Sequence, residues 1–319
     1  MFLKLKPAFK DYLWGGQRLE MDFGMQSGLK KTAEAWVLSC HPDGNSIVAE
    51  GEFAGKTLQE ALDTIGFDAL GTKAKGKKGF PILIKLIDAK QNLSVQVHPN
   101  DEYAKKHENS LGKTECWYIL DCDENAELIY GLKKEVTKEK LQEHIKKDTL
   151  LEIANSVKVH KGDMFFIPAG TLHAIGKGIL VAEIQQNSNV TYRVYDYDRV
   201  GTDGKPRQLH KKQAVDVILR TPSASTGNPL GEKEVYDGYA KQLLTECDLF
   251  KVESVSIEKA YRDVAEKASF VSILVTDGQG MLQQNGQKTN LKKGDSLFIS
   301  ANSGSFEITG TLHVLKTTI

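Results

Sequence analysis

Four side chains scattered through this sequence have the chemistry of metal ligands: Gln96, His98, Glu115 and His173. Ser94-Val95-Gln96-Val97-His98-Pro99 alternates polar with apolar residues. In a strand, that period places Ser94, Gln96 and His98 on one face and the two valines on the other. Lys113-Thr114-Glu115-Cys116-Trp117-Tyr118-Ile119-Leu120 reads as a second strand, with Lys113 and Glu115 sharing a face. Gly162 to His173 (Gly-Asp-Met-Phe-Phe-Ile-Pro-Ala-Gly-Thr-Leu-His) reads as a third. Its Pro-Ala-Gly corner ends the pairing and swings His173 back toward the sheet. The set offers an amide oxygen, two imidazole nitrogens and a carboxylate. That mixture suits one borderline divalent ion per chain, Zn2+ first, with a position left open for water or substrate. Gln96 is the weakest donor and reads either as a ligand or as a neighbour of one. Glu115 sits in an otherwise apolar strand, where a buried carboxylate needs a cation opposite it.

These side chains need a framework that is mainly β with helical insertions. Helical spacing predicts a helix over Thr57 to Ile65, another over 100–110 capped by Asn100, and a long one over 137–157 whose apolar side is Leu141, Ile145, Leu150, Leu151 and Ile153. A further helix closes over Gln213 to Leu219, and Pro222 follows it. Residues 223–232, rich in Ser, Gly and Pro, read as a linker between a metal-binding unit (1–222) and a small C-terminal β unit (233–319). Lys161-Gly162-Asp163-Met164-Phe165-Phe166-Ile167 recurs as Lys293-Gly294-Asp295-Ser296-Leu297-Phe298-Ile299, and Ser305 falls where His173 would be. The C-terminal unit therefore reads as a second copy that kept the strand and lost the metal, with a packing and edge-covering role.

The chain has 319 residues, 40% of them hydrophobic, enough to bury a large core. Lys plus Arg (42) balance Asp plus Glu (42), so no net field draws the protein to nucleic acid or to an anionic membrane. Any phosphate site must be built locally. Cys40, Cys116, Cys122 and Cys247 have no paired spacing, and residues 1–14 contain no apolar run long enough for a signal or membrane helix. A cytoplasmic location is expected. The oligomeric state is left open, and a monomer is compatible with the site.

The Gly-x5-Pro-x-Gly-x2-His spacing of residues 162–173 resembles the second motif of the cupin β-barrels, whose histidine binds a metal. The Gln-x-His pair, the Lys-x-Glu strand and the Pro-Ala-Gly-Thr-Leu-His turn resemble the type I mannose-6-phosphate isomerases in their short bacterial form. So do the run Ser188-Asn189-Val190-Thr191-Tyr192-Arg193-Val194-Tyr195-Asp196, Trp14-Gly15-Gly16 and Glu34-Ala35-Trp36. The resemblance spans essentially the whole chain, with its specific motifs between Lys85 and Arg199. It implies a cupin-type (jelly-roll) β-barrel followed by a degenerate cupin-like β domain. It also implies an aldose–ketose isomerase acting on mannose 6-phosphate and fructose 6-phosphate, with Arg193 as the active-site arginine and Lys85 and Ser94 on the substrate side. Ser188 and Gly112 depart from the longer members, which carry aspartate and histidine at those places. An insert, residues 99–114, separates His98 from Glu115, which is farther than in most cupins.

Moving a proton between C1 and C2 develops negative charge on an enediolate oxygen, and a metal with an open position stabilises it. Arg193, always charged, suits either the phosphate or that oxygen. Lys113 is either a proton-transfer group, its pKa lowered by burial, or a charge balance for Glu115. Lys85, inside Ile82-Leu83-Ile84-Lys85-Leu86-Ile87, needs an anion, which is either substrate phosphate or a carboxylate of the protein. Two other readings exist for such a scaffold: an iron-dependent cupin oxygenase, and a non-catalytic sugar-phosphate-binding protein. Gln-x-His in place of His-x-His argues against the first, and the lack of an output domain against the second.

Overall fold

Two strands, Ile82–Ala89 and Ile179–Gln186, are buried at every position, as expected of strands covered on both faces. They lie at the centre of a six-stranded antiparallel sheet. Its order is Met164–Ile167, Glu115–Cys122, Ile179–Gln186, Ile82–Ala89, Glu34–Leu38 and Ala8–Lys10. The computed structural model describes residues 1–201, 204–223 and 226–319, so 224–225 of the expected linker lie outside the described residues.

One face of this sheet packs on a five-stranded sheet ordered Ala154–Lys158, Glu127–Leu132, His173–Ala174, Val95–Val97 and Tyr192–Tyr195. Ile87, Trp117, Ile119, Phe165 and Val181 from the first sheet share a core with Leu128 and Tyr130 from the second. The outer face of the five-stranded sheet is covered by helices Lys138–Lys146, Leu150–Ile153 and Lys211–Val217, through Leu141, Ile145, Leu150 and Ala214 against Val95, Val97, Leu172 and Tyr192. Neither sheet closes on itself. The fold is mainly β, as expected, but its hydrogen bonding is that of two stacked open sheets, not of a closed barrel.

The expected helix over 137–157 is divided. Lys138–Lys146 is helical, capped by the Thr137 hydroxyl, but Asp148 takes a left-handed conformation (φ 56°) and stops it. After one turn at Leu150–Ile153 the chain becomes the strand Ala154–Lys158, paired with Glu127–Leu132. Asn155, Ser156 and Val157 favour that outcome, being poor helix formers next to an open sheet edge. The shorter expectations fit better. Thr57 forms a capping box with Glu60 ahead of Leu58–Ile65, and the Asn100 side chain accepts from Tyr103 N ahead of Asp101–His107.

The remaining face of the six-stranded sheet meets a ten-stranded C-terminal sheet through Leu86, Cys116 and Ile184 against Phe250, Phe270 and Phe298. That third sheet also takes in Phe2–Lys6, paired with Ser296–Ile299, and Ile47–Val48 beyond it, so hydrogen bonding crosses the 222/233 division. Gly227 O, within the expected linker, accepts from Met164 N. The internal sequence echo extends to backbone geometry. Gly162 and Gly294 have φ of 94° and 92°, and Asp163 and Asp295 accept from the backbone N–H of His160 and Lys292 at 2.8 and 2.9 Å. Ile167 faces Glu115, whereas its counterpart Ile299 faces Val271. A valine thus occupies the register position of the carboxylate, and Ser305 falls at the sequence spacing of His173.

His313 lies where the sheets meet. Its ring stacks on Tyr118 with 14° between planes, and its Nε2 pairs with Ser254 Oγ at 2.8 Å. Burial pushes its pKa down from 6.5 to about 4. Between those values the unfolded chain binds the extra proton, so this group's contribution is full above about pH 6.5 and is lost as pH falls toward 4. Across that window wild type should lose up to about 3 kcal/mol of stability relative to His313→Gln. Denaturant melts of both proteins at pH 7 and pH 4.5 test this, and parallel pH profiles would count against it.

Candidate active site

Both histidines are presented by the five-stranded sheet and the carboxylate by the facing one. His173 opens the strand after the Pro168-Ala169-Gly170 corner, His98 follows Val95–Val97, and Glu115 begins Glu115–Cys122. The ligand atoms of His98, Glu115 and His173 lie within 4.8 Å of one another, all three buried. His98 Nε2 is 3.5 Å from Glu115 Oε2, His173 Nε2 is 3.4 Å from Glu115 Oε1, and the two Nε2 atoms are 3.1 Å apart. Each ring uses its other nitrogen on a backbone carbonyl, His98 Nδ1 on Val190 O and His173 Nδ1 on Thr171 O, both at 2.8 Å. Those bonds place the proton on Nδ1 and turn the Nε2 lone pairs toward Glu115.

The pKa shifts agree with neutral rings. Burial, with the Lys113 ammonium second, holds His98 well below its usual range. Burial pushes His173 down to about 4. Both rings are therefore neutral donors at neutral pH. Glu115 Oε1 is buried without a hydrogen-bond partner. A buried carboxylate facing two imidazole lone pairs, with one oxygen unpaired, fits a divalent cation bound by these three residues. Gln96 is half-buried, beside His173 in the sheet register and on the face it shares with Ser94 and His98.

A row of charge crosses the central sheet beside this cluster. Lys113 Nζ contacts Glu115 Oε2 and lies 3.0 Å from His98 Nε2. Glu183 stands opposite Lys85 on one neighbouring strand and Trp117 on the other. Its Oε1 lies 3.2 Å from Lys85 Nζ and 3.7 Å from Lys113 Nζ, while Trp117 Nε1 donates to Oε2 at 2.9 Å. Glu34 Oε2, held by Trp36 Nε1 at 2.6 Å, approaches Lys85 at 3.7 Å. The protein itself thus supplies Lys85 with an anion. Burial opposes charging Lys85, but Glu34 and Glu183 outweigh it and hold the ammonium above its usual range. Burial likewise opposes ionising Glu183, and Lys113 and Lys85 overcome it to keep the carboxyl ionised. Glu115 shifts the other way, raised by burial and then by the nearby Glu183 charge.

Ser94, Gln96, Lys85, Lys113, Glu183 and Arg193 all line one cavity of about 300 Å³. Arg193 sits on the strand next to Gln96, two strands from His173. Its Nη1 donates to Gln208 O at 3.0 Å and its buried Nε has no partner. Burial, then the like charge of Arg207, lowers its pKa. Every candidate from the sequence is therefore in or beside one site. Sequence reasoning did not single out Glu34, Glu183, Arg207 or His210, which line the same cavity. Glu183 carried a signal, since an acid inside Ile179-Leu180-Val181-Ala182-Glu183-Ile184 is as anomalous as Lys85 in its own strand.

Gly112, one of the departures from the longer family pattern, lies against the start of the inserted helix. A Cβ there would come within 2.5 Å of Asn100 C and Asp101 N, while Gly112 N donates to Asp101 Oδ1 at 2.7 Å. That contact sets the chain just ahead of Lys113 and Glu115. Gly112→Ala should cost about 1–3 kcal/mol by overpacking and also weaken metal binding. Thermal melts and a competitive chelator titration measure the two effects.

A buried two-histidine, one-carboxylate cluster that could hold a metal ion, beside a cationic cavity on stacked antiparallel sheets, is the arrangement of a cupin-type enzyme. Residues 2–133 match the family model for the phosphomannose isomerase type I catalytic domain, and residues 240–319 that for the mannose-6-phosphate isomerase cupin domain. The chain is 41% identical to mannose-6-phosphate isomerase ManA of Bacillus subtilis, over 97% of this chain and 96% of that protein. It is 36% identical to the mannose-6-phosphate isomerase of Streptococcus mutans, over 98% and 96%. The crystal structure of mannose 6-phosphate isomerase from Bacillus subtilis superposes with a TM-score of 0.91 at 38% identity, covering 100% of this chain and 99% of that one. The chain belongs to the type I mannose-6-phosphate isomerase family.

Proposed function

We propose that the protein interconverts mannose 6-phosphate and fructose 6-phosphate through an enediolate, with one zinc ion held by His98, Glu115 and His173 and with Gln96 as a fourth donor or a neighbour of the ligands. The observation that carries this is the buried Glu115 carboxylate facing two imidazole lone pairs with its Oε1 orphaned, beside a cavity whose Arg193 has no carboxylate partner among the described residues. A divalent ion there supplies Lewis acidity toward the sugar oxygen that gathers negative charge. Arg193 binds anionic oxygen as a fixed cation and is too weak a base to move protons. Lys113, held between Glu115 and Glu183, has the amino group best placed to deliver a proton as the ammonium, or to accept one as the free amine, near the ligands. Ser94 and Lys85 orient the sugar from the cavity wall, Lys85 kept charged by Glu34 and Glu183.

Residues 1–222 are assigned the chemistry and 233–319 the packing role, in line with Val271 and Ser305 at the matched ligand positions. No helix among the described residues is long and apolar enough to cross a membrane. Four unpaired cysteines favour a reducing compartment, and we place the protein in the cytoplasm. The oxygenase and sensor readings are not favoured, because full-length relatives carry the isomerase name.

The deciding experiment measures metal content and mannose 6-phosphate turnover before chelation, after it, and after adding zinc back. Activity should vanish with the metal and return with zinc. Full activity in metal-free protein would sink the proposal, whereas oxygen uptake with iron, or tight binding without conversion, would revive the other two readings.

A further inference from the structure

A second cavity, of about 540 Å³, shares no lining residue with the one beside the metal ligands. Pro81, Leu111 and Leu249 give it an apolar wall, and Lys77, Lys78 and Lys105 line it as well. None of these three ammonium groups makes an ion pair or a hydrogen bond with another described residue. Lys77 is half-buried, and burial, followed by the like charge of Lys73, lowers its pKa. The only acid among the described lining residues is Asp101. Its Oδ1 is already taken by Gly112 N at 2.7 Å and by Gln186 Nε2 at 3.0 Å. Three cations against one carboxylate leave an excess of two positive charges.

We propose that this cavity is an effector site, separate from the active site, for a small organic phosphate with an apolar body, and that its occupancy slows the chemistry at the metal. The ammonium groups complement a monoester dianion, and Pro81, Leu111 and Leu249 receive the apolar part. The link to the chemistry is short. Asp101 and Gln186, both on the lining, hold the backbone on either side of Lys113. Asp101 holds Gly112 N, and Gln186 Oε1 accepts from Thr114 N at 2.8 Å. Gln186 Nε2 ties the two holds together, and Lys113 N donates to Pro99 O at 3.0 Å. An anion drawn in by the lysines repels the Asp101 carboxylate, loosens this clamp and displaces Lys113 and Glu115. Effector and substrate thus favour different settings of one segment, residues 109–114, which is the differential binding that coupling requires. The binding step is independent of the isomerase reading above; the kinetic effect rests on it.

The test uses full-length, zinc-loaded protein and phenyl phosphate as probe. Calorimetry is done in an Arg193→Ala background, which weakens any binding of the probe in the active-site cavity. Phenyl phosphate should bind that protein, and about 10- to 100-fold more weakly once Lys77→Gln and Lys105→Gln are added. Neither lysine lines the active-site cavity, so Lys77→Gln/Lys105→Gln with Arg193 intact should keep the wild-type kcat and KM for mannose 6-phosphate. At saturating substrate, phenyl phosphate should lower kcat about 5-fold in wild type and leave it unchanged in the lysine variant. No binding to Arg193→Ala, or equal affinity with and without the two lysines, overturns the proposal. So does a wild-type kcat that the probe leaves unchanged at saturating substrate, since any inhibition then comes from the active site alone. Lysine-dependent binding by a protein that leaves mannose 6-phosphate unconverted would instead refute the isomerase reading and leave the second site where it is placed.

Discussion

Glu115→Gln should leave a folded protein that no longer retains its metal and turns over mannose 6-phosphate at least about 10³-fold more slowly. The amide keeps the shape of the carboxylate but removes the only formal negative charge among the three proposed ligands, and amide oxygens are weak donors to zinc. Lys113 still has Glu183 at 3.7 Å, so the change does not strand the ammonium. Metal analysis and initial rates on the same sample, with a thermal melt as control for folding, settle the matter. A variant carrying a full equivalent of zinc and near-normal rates would remove Glu115 from the ligand set.

Arg193→Ala should show the opposite separation, with full metal content and a turnover loss of about 10²–10³-fold. The side chain contacts no ligand, and its unpaired Nε and the cavity around it point to a role on the substrate. Arg193→Lys should recover part of the loss, since it returns the charge without the planar fork. Loss of zinc in Arg193→Ala would mean that the strand Tyr192–Tyr195 holds the neighbouring Val95–Val97 in place and does little else. Near-normal rates would refute the role altogether.

The site was legible in the sequence wherever chemistry and local period coincide. Alternation over residues 94–98, the Lys-x-Glu pair and the corner before His173 name residues that the structure gathers in one place. Glu183 was readable by the logic that singled out Lys85. Arg207 was not, because residues 200–210 carry no periodicity and its partner Asp196 belongs to another segment. The break at Asp148 lay below the resolution of a helical pattern that Leu150 and Ile153 happen to continue. Sheet closure was illegible for a related reason: whether two edges pair depends on register between distant strands, and no local pattern records it.

The strand Phe2–Lys6 pairs with Ser296–Ile299. It leaves the ribosome long before that partner is made; Leu5 and Lys6 can pair early with Val48 and Ile47, but its other edge stays open while the first two sheets are synthesised. Its pairing closes a very long loop, which makes it a late and slow step of folding. A bulky fusion placed against that strand would accordingly impair maturation more than catalysis.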